Sequence, residues 1–168
     1  MTELLNKLSS YNLFNNLLPG TLFVFLASEI THRNYVQRNV IVALALYYLV
    51  GLVISRLGSL VIEPLFLKLS FIRFVEYGQF IEAAKRDEKI EIFSEINNMY
   101  RTLCSLFALL SLLILYVKVV VRFPFLSNNA PAILSIVLFI IFAFSYRKQT
   151  LYITKRTKAA ADTRVIKP

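Results

Sequence analysis

One cysteine, one histidine and four glycines are all that this 168-residue chain offers to several common chemistries. The lone Cys104 excludes an intrachain disulfide and a thiolate-rich metal site. The lone His32 excludes the two-histidine zinc motifs. Gly20, Gly51, Gly58 and Gly78 lie too far apart for a phosphate-cradling loop, and no serine stands in a Gly-x-Ser-x-Gly turn. Charge is scarce as well, at 17% of residues against about a quarter in a typical soluble domain. Four glycines and five prolines are too few for a linker-rich or disordered chain. The expectation is a protein without catalytic residues, metal or cofactor.

Apolar residues fill the space instead. They make up 57% of the chain, the mean hydropathy is +0.62, and they gather into long runs, the signature of lipid rather than of one buried core. The runs cover 11–30, 40–62, 102–121 and 130–146. A helix needs about 20 residues to cross a bilayer. The second and third runs satisfy that, while the first must borrow 11–16 or tilt. The expected fold is therefore all-α integral membrane, with four transmembrane helices and a cytosolic helical hairpin between spans two and three. Three spans with an interfacial first helix is the alternative. The chain divides into an amphipathic N-terminus with spans one and two (1–62), a cytosolic or interfacial helical segment (63–101), spans three and four (102–146) and a basic tail (147–168).

The start does not read as a cleavable signal peptide, because Glu3 precedes Lys7 and Asn12, Asn15 and Asn16 interrupt the apolar region. Leu4, Leu5, Leu8 and Leu13 instead recur at near-helical spacing. With four spans, the N-terminus, 63–101 and the tail share one side and hold fourteen Lys and Arg, against four on the other. The positive-inside rule then puts both termini in the cytosol. The tail carries Arg147, Lys148, Lys155, Arg156 and Lys158 among its basic residues and only Asp162 against them. Such a cluster beside a span fits anionic lipid headgroups. It lacks the interleaved aromatics of a nucleic-acid surface beyond Tyr146 and Tyr152, so no direct nucleic-acid contact is expected.

Within 63–101, Phe66, Phe71, Phe74 and Tyr77 alternate with Lys68 and Arg73, a mixture that suits the membrane interface and also permits a short strand. From Gln79 to Arg101 acids and bases fall at i,i+3 and i,i+4 spacing, which marks a helix. Ile92, Ile96, Met99 and Leu103 form one stripe on it. Nothing breaks the pattern between Lys89 and Val121, so one helix about 50 Å long is expected to project roughly 20 Å into the cytosol. A break near 85–87 would make a helical hairpin. The stripe either packs on 65–77 or, with Glu91, Ile92, Glu95, Ile96, Asn97 and Asn98, presents a face to a partner.

Span two carries small residues, Gly51, Ser55, Gly58 and Ser59, at a spacing that lets helix backbones approach closely, within the subunit or at an oligomer seam. Arg56 and Glu63 lie about 20° apart on another face and about 10 Å apart along the axis. They are expected to form a structural or gating pair, with snorkelling of Arg56 as the plainer outcome. Pro64 is expected to end the span. Pro19-Gly20 is expected to bend span one, and Glu29 to pair with Arg33.

Three segments carry a resemblance: Asn-Leu-Leu-Pro-Gly at 16–20, Ile-Ser-Arg-Leu-Gly-Ser-Leu-Val-Ile-Glu-Pro at 54–64 and Asn-Asn-Met-Tyr-Arg at 97–101. They look like segments of small bacterial membrane proteins. The layout of four spans, cytosolic helical loop and basic tail resembles the membrane components of anti-phage defence systems, such as that of Kiwa. The likeness implies homo-oligomerisation and a soluble partner that does the enzymatic or nucleic-acid work, and it transfers no site residue. The expected function is thus a non-catalytic, oligomeric inner-membrane subunit that docks a soluble cytosolic partner and senses membrane perturbation in phage defence. The alternative is a pore-forming effector, an ion channel gated by a cytosolic signal.

Overall fold

The computed structural model describes residues 13–121 and 129–165, with the side chains of Phe14 and of 158–165 left out. The expected N-terminal lead-in over 1–12 lies outside the described residues. Among these the chain is all helical, with no strand. A π turn at Leu13–Leu17 leads into α1 (Leu18–Thr31). Helix α2 (Val40–Leu57) passes through a second π turn at Gly58–Ile62 into α3 (Glu63–Lys68). Then come α4 (Tyr77–Arg86), the long α5 (Lys89–Val120) and α6 (Ala130–Val165).

Three stretches are long and apolar enough to cross a membrane: Val40–Lys68, Lys89–Val120 and Ala130–Thr157. Helix α1 is not one of them. Its 14 residues rise about 21 Å, short of a hydrocarbon core of about 30 Å.

Local chemistry explains most boundaries. Asn39 caps α2, its side-chain oxygen accepting the amides of Ile41 at 3.0 Å and Val42 at 3.3 Å. Helix α1 stops where His32 turns left-handed (φ 53°), so that the amide of Arg33 bonds back to the Ser28 carbonyl. That reversal carries Arg33 off the helix, and the expected Glu29–Arg33 ion pair does not form. Asp87 breaks the chain between α4 and α5 and accepts the Lys89 amide at 2.9 Å. The break between α4 and α5 falls at Asp87 and Glu88, at the end of the expected 85–87.

The two prolines behave differently from expectation. Pro64 does not end the helix: Glu63 keeps α geometry (φ −60°, ψ −51°) and the helix continues to Lys68. The π turn before it is the reason. Glu63 N–H bonds to Gly58 O, five residues back, and the wider turn makes room for the proline ring. Pro19 is treated alike, standing in the first turn of α1 just after the π turn at Leu13–Leu17.

Helices α1, α2 and α5 pack on one another, and α6 joins along α2 and its π turn. The apolar core is small: Ile54, Leu106 and Leu110, flanked by Phe23, Leu26, Ile30, Val50 and Leu109. Most other large apolar side chains are exposed, including Ile41, Phe107, Leu112 and Phe139. That inside-out distribution is what a helix bundle solvated by hydrocarbon requires.

Candidate functional site

The small-residue stripe of α2 is used inside the chain. A Cβ on Gly51 would overlap the backbone carbonyl of Asn16, and one on Gly20 would overlap that of Tyr47. Helices α1 and α2 therefore touch backbone to backbone, the close approach that replaces hydrophobic drive in lipid. Gly58 does the same toward α5, where a Cβ would lie 3.2 Å from the Arg101 carbonyl oxygen.

Close approach leaves polar side chains facing one another, and they form a buried layer. Asn15 Nδ2 donates to Ser55 Oγ at 3.2 Å. Thr102 Oγ1 lies 3.0 Å from Asn15 Oδ1 and 2.9 Å from the Asn98 carbonyl oxygen, so its single proton serves two acceptors. Asn15, Asn16, Ser55, Thr102 and Ser105 are all buried. Amides that disqualify 11–16 from a lipid-facing run are thus sheltered by protein, where their hydrogen bonds are met.

Beside this layer sits the one buried carboxylate among the described residues, Glu63. Its Oε2 takes Nη1 of Arg101 on α5, and its Oε1 takes Nζ of Lys148 on α6 at 2.8 Å. Lys148 also donates to the Ser59 carbonyl at 2.6 Å and to Ser59 Oγ at 2.8 Å. Three membrane-length helices are joined through one side chain. Arg56 is not its partner; it approaches Glu63 only as another wall of a shared cavity.

That cavity holds about 510 Å³. Its lining combines the charged Arg56, Glu63, Arg101 and Lys155 with the largely apolar Phe74, Val75, Tyr77 and Phe80. A smaller cavity shares Arg56, Ser59 and Tyr152 with it and adds Ser145 and Lys148. Two buried polar side-chain atoms lack a hydrogen-bond partner among the described residues, Arg101 Nε and Ser145 Oγ, and each belongs to a residue lining one of these cavities.

The remaining predicted site residues separate. Asn97 and Asn98 reach the larger cavity, which joins them to Arg56. Glu91, Ile92, Glu95 and Ile96 lie exposed on the projecting part of α5 rather than covered by 65–77. Of the basic tail, Arg147 and Arg156 are exposed, Lys155 lines the cavity, and Lys148 is drawn inward to Glu63 instead of standing free. The Lys158 side chain lies outside those described.

Arg101, Asn15 and Thr102 were not singled out from sequence as site residues, and Lys148 was read as a headgroup contact rather than as a partner of Glu63. Arg101 and Lys148 each stand where an apolar run meets a polar one, a position with several possible partners. Only the packing of three helices selects Glu63 for both. Neither a family model, nor a curated protein, nor a solved structure matches this chain.

Proposed function

We infer that this chain is a non-catalytic subunit of the bacterial inner membrane that docks a soluble cytosolic protein on the projecting end of α5. The carrying observation is exposed apolar surface at the start of α5, beyond the ionic layer at Arg101. Ile92 is 45% exposed, Phe93 64% and Ile96 38%. They stand five to nine residues beyond Arg101, about 8–14 Å along the helix axis. Arg101, Glu63 and Lys148 form the ionic layer at which the apolar runs of α2, α5 and α6 end. Headgroups add only about 5–7 Å beyond the hydrocarbon edge. A protein surface is the natural cover for side chains past that depth. Flanking Glu91 and Glu95 favour a partner with basic residues around an apolar centre.

The same reading makes α1 the fourth span. Its π turn lengthens the helix to 13–31, and its backbone contact with α2 carries it alongside that span. Both ends then face the cytosol with the basic tail, as positive-inside counting requires. Any homo-oligomer seam lies away from Gly51 and Ser55, which are consumed within the chain, and the exposed faces of α6 are free for it. Glu63 has both carboxylate oxygens engaged by cations, an anchor rather than an available base.

The test is reconstitution in liposomes with a cytosolic extract of the source cell. A retained soluble protein that is lost in the Ile92→Glu, Ile96→Glu double variant, with no ion flux, supports docking. Ion flux that needs Arg56 would replace this reading with the gated pore, in which Arg56, Asn97 and Asn98 flank one opening.

A further inference from the structure

The two cavities beside Glu63 carry more positive charge than the chain neutralises. Arg56, Arg101, Lys148 and Lys155 line them against the single carboxylate of Glu63. Arg101 and Lys148 share that carboxylate, which leaves one charge of theirs in surplus. Arg56 and Lys155 have no ion-pair partner among the described residues, so a further two charges are unmet. The Arg101 Nε–H is buried and makes no hydrogen bond among the described residues. Cations gathered at a low-dielectric boundary repel one another unless an anion joins them.

We propose that this cleft binds a phosphate group, that of an acidic phospholipid headgroup or of a soluble phosphoester. Three features select phosphate among anions. Two guanidinium groups line it, Arg56 with no ion-pair partner among the described residues and Arg101 with its Nε–H unpaired, and guanidinium N–H groups match phosphate oxygens. The cleft lies at the ionic layer where the apolar runs end, the depth at which headgroup phosphates lie and at which basic pockets between spans take them. Phe74, Val75, Tyr77 and Phe80 in the same lining would receive an apolar or planar group attached to that phosphate. These four belong to the segment between α3 and α4 and to the start of α4, so ligand binding would tie that stretch to the bundle.

The experiment uses the full chain in phosphatidylcholine nanodiscs, with the thermal midpoint as readout. One arm replaces phosphatidylcholine stepwise with phosphatidylglycerol, and a second adds glycerol 3-phosphate or ATP to the buffer. A saturable rise with phosphatidylglycerol is expected. Arg56→Gln and Lys155→Gln should each weaken it about tenfold, the scale of one charge-assisted hydrogen bond. Arg147→Gln and Arg156→Gln, exposed tail cations outside both cavities, should lower only the non-saturating background attraction to anionic headgroups and leave the saturation midpoint in place. The Ile92→Glu, Ile96→Glu variant should also leave it unchanged, which separates this site from partner docking. A rise confined to the soluble probes, with the same dependence on Arg56 and Lys155, supports the phosphate site and assigns it a soluble ligand. No saturable rise with any probe, or equal losses in the Arg147 and Arg156 variants, would overturn the proposal.

Discussion

Glu63 carries more of the structure than its size suggests, because its two oxygens meet cations from two other helices. Arg101 and Lys148 keep 21% and 25% of their side-chain surface exposed, so the pairs are partly screened but not solvated. Glu63→Gln removes the charge and keeps the shape, leaving two cations facing each other. Breaking such a pair costs about 3–5 kcal/mol when fully buried, and the partial exposure places this one at the lower end. Unfolding in mixed micelles with SDS should show that loss. Glycines divide as sharply. Gly51→Ala forces a methyl into the Asn16 carbonyl and should cost at least about 1–3 kcal/mol, the usual scale of overpacking. Gly78→Ala meets nothing within 4 Å and sits in α4. It should be neutral or stabilise by up to about 1 kcal/mol through helix propensity. A comparison of the two in the same micelles separates close packing from propensity.

At the scale of elements, the π turns and the helices α4 and α5 show how one sequence makes helices of unequal durability. Each π turn comes just before a proline and beside buried polar groups, Asn15 and Asn16 within the first and Glu63 directly after the second. The extra residue in the turn admits the proline ring. Helix α4, by contrast, buries no residue completely. Helix α5 buries Thr102, Ser105, Leu106 and Leu110 over little more than two turns. Amide hydrogen exchange should therefore be fast throughout Tyr77–Arg86 and slow across 102–110, since local opening follows the burial of each element. Equal protection in the two would show that α4 is held by contacts beyond those seen within one chain.

The whole molecule is polarised along its length. Along α5 the first turns expose Glu91 and Glu95, Arg101 and Thr102 follow with the ion pair to Glu63 and the polar layer, and the apolar core lies beyond at Leu106 and Leu110. Thiol labelling in intact vesicles reads this arrangement directly. Cys104 is exposed in the isolated chain but sits in the apolar part of α5, so a membrane-impermeant maleimide should not react with it. Phe93→Cys and Ile153→Cys should label from one side, and Arg38→Cys from the other. Labelling of Phe93→Cys and Arg38→Cys from the same side would remove the proposed topology, and with it the cytosolic placement of the docking face.

The long apolar runs, the polar helix before span three and the small-residue spacing of α2 were legible from sequence, because hydropathy and helical periodicity are local properties. The runs expected at 40–62, 102–121 and 130–146 fall within the three membrane-length helices Val40–Lys68, Lys89–Val120 and Ala130–Thr157, apart from Val121 just past the second. Partner choice was not local. Glu63 lies seven residues from Arg56 on one helix, yet Arg101 and Lys148, 38 and 85 positions away, take its oxygens. Pro64 reads as a stop until a π turn widens the helix before it. Asn15 and Asn16 read as interruptions of a span until Gly51 and Ser55 bring a second backbone close enough to shelter them. Sequence by itself determined where the membrane-length apolar helices run, since that follows from the solvation of each segment alone. Only the tertiary structure decided which polar groups satisfy one another, because a buried charge or amide takes whichever partner the packing of distant helices brings within hydrogen-bond reach.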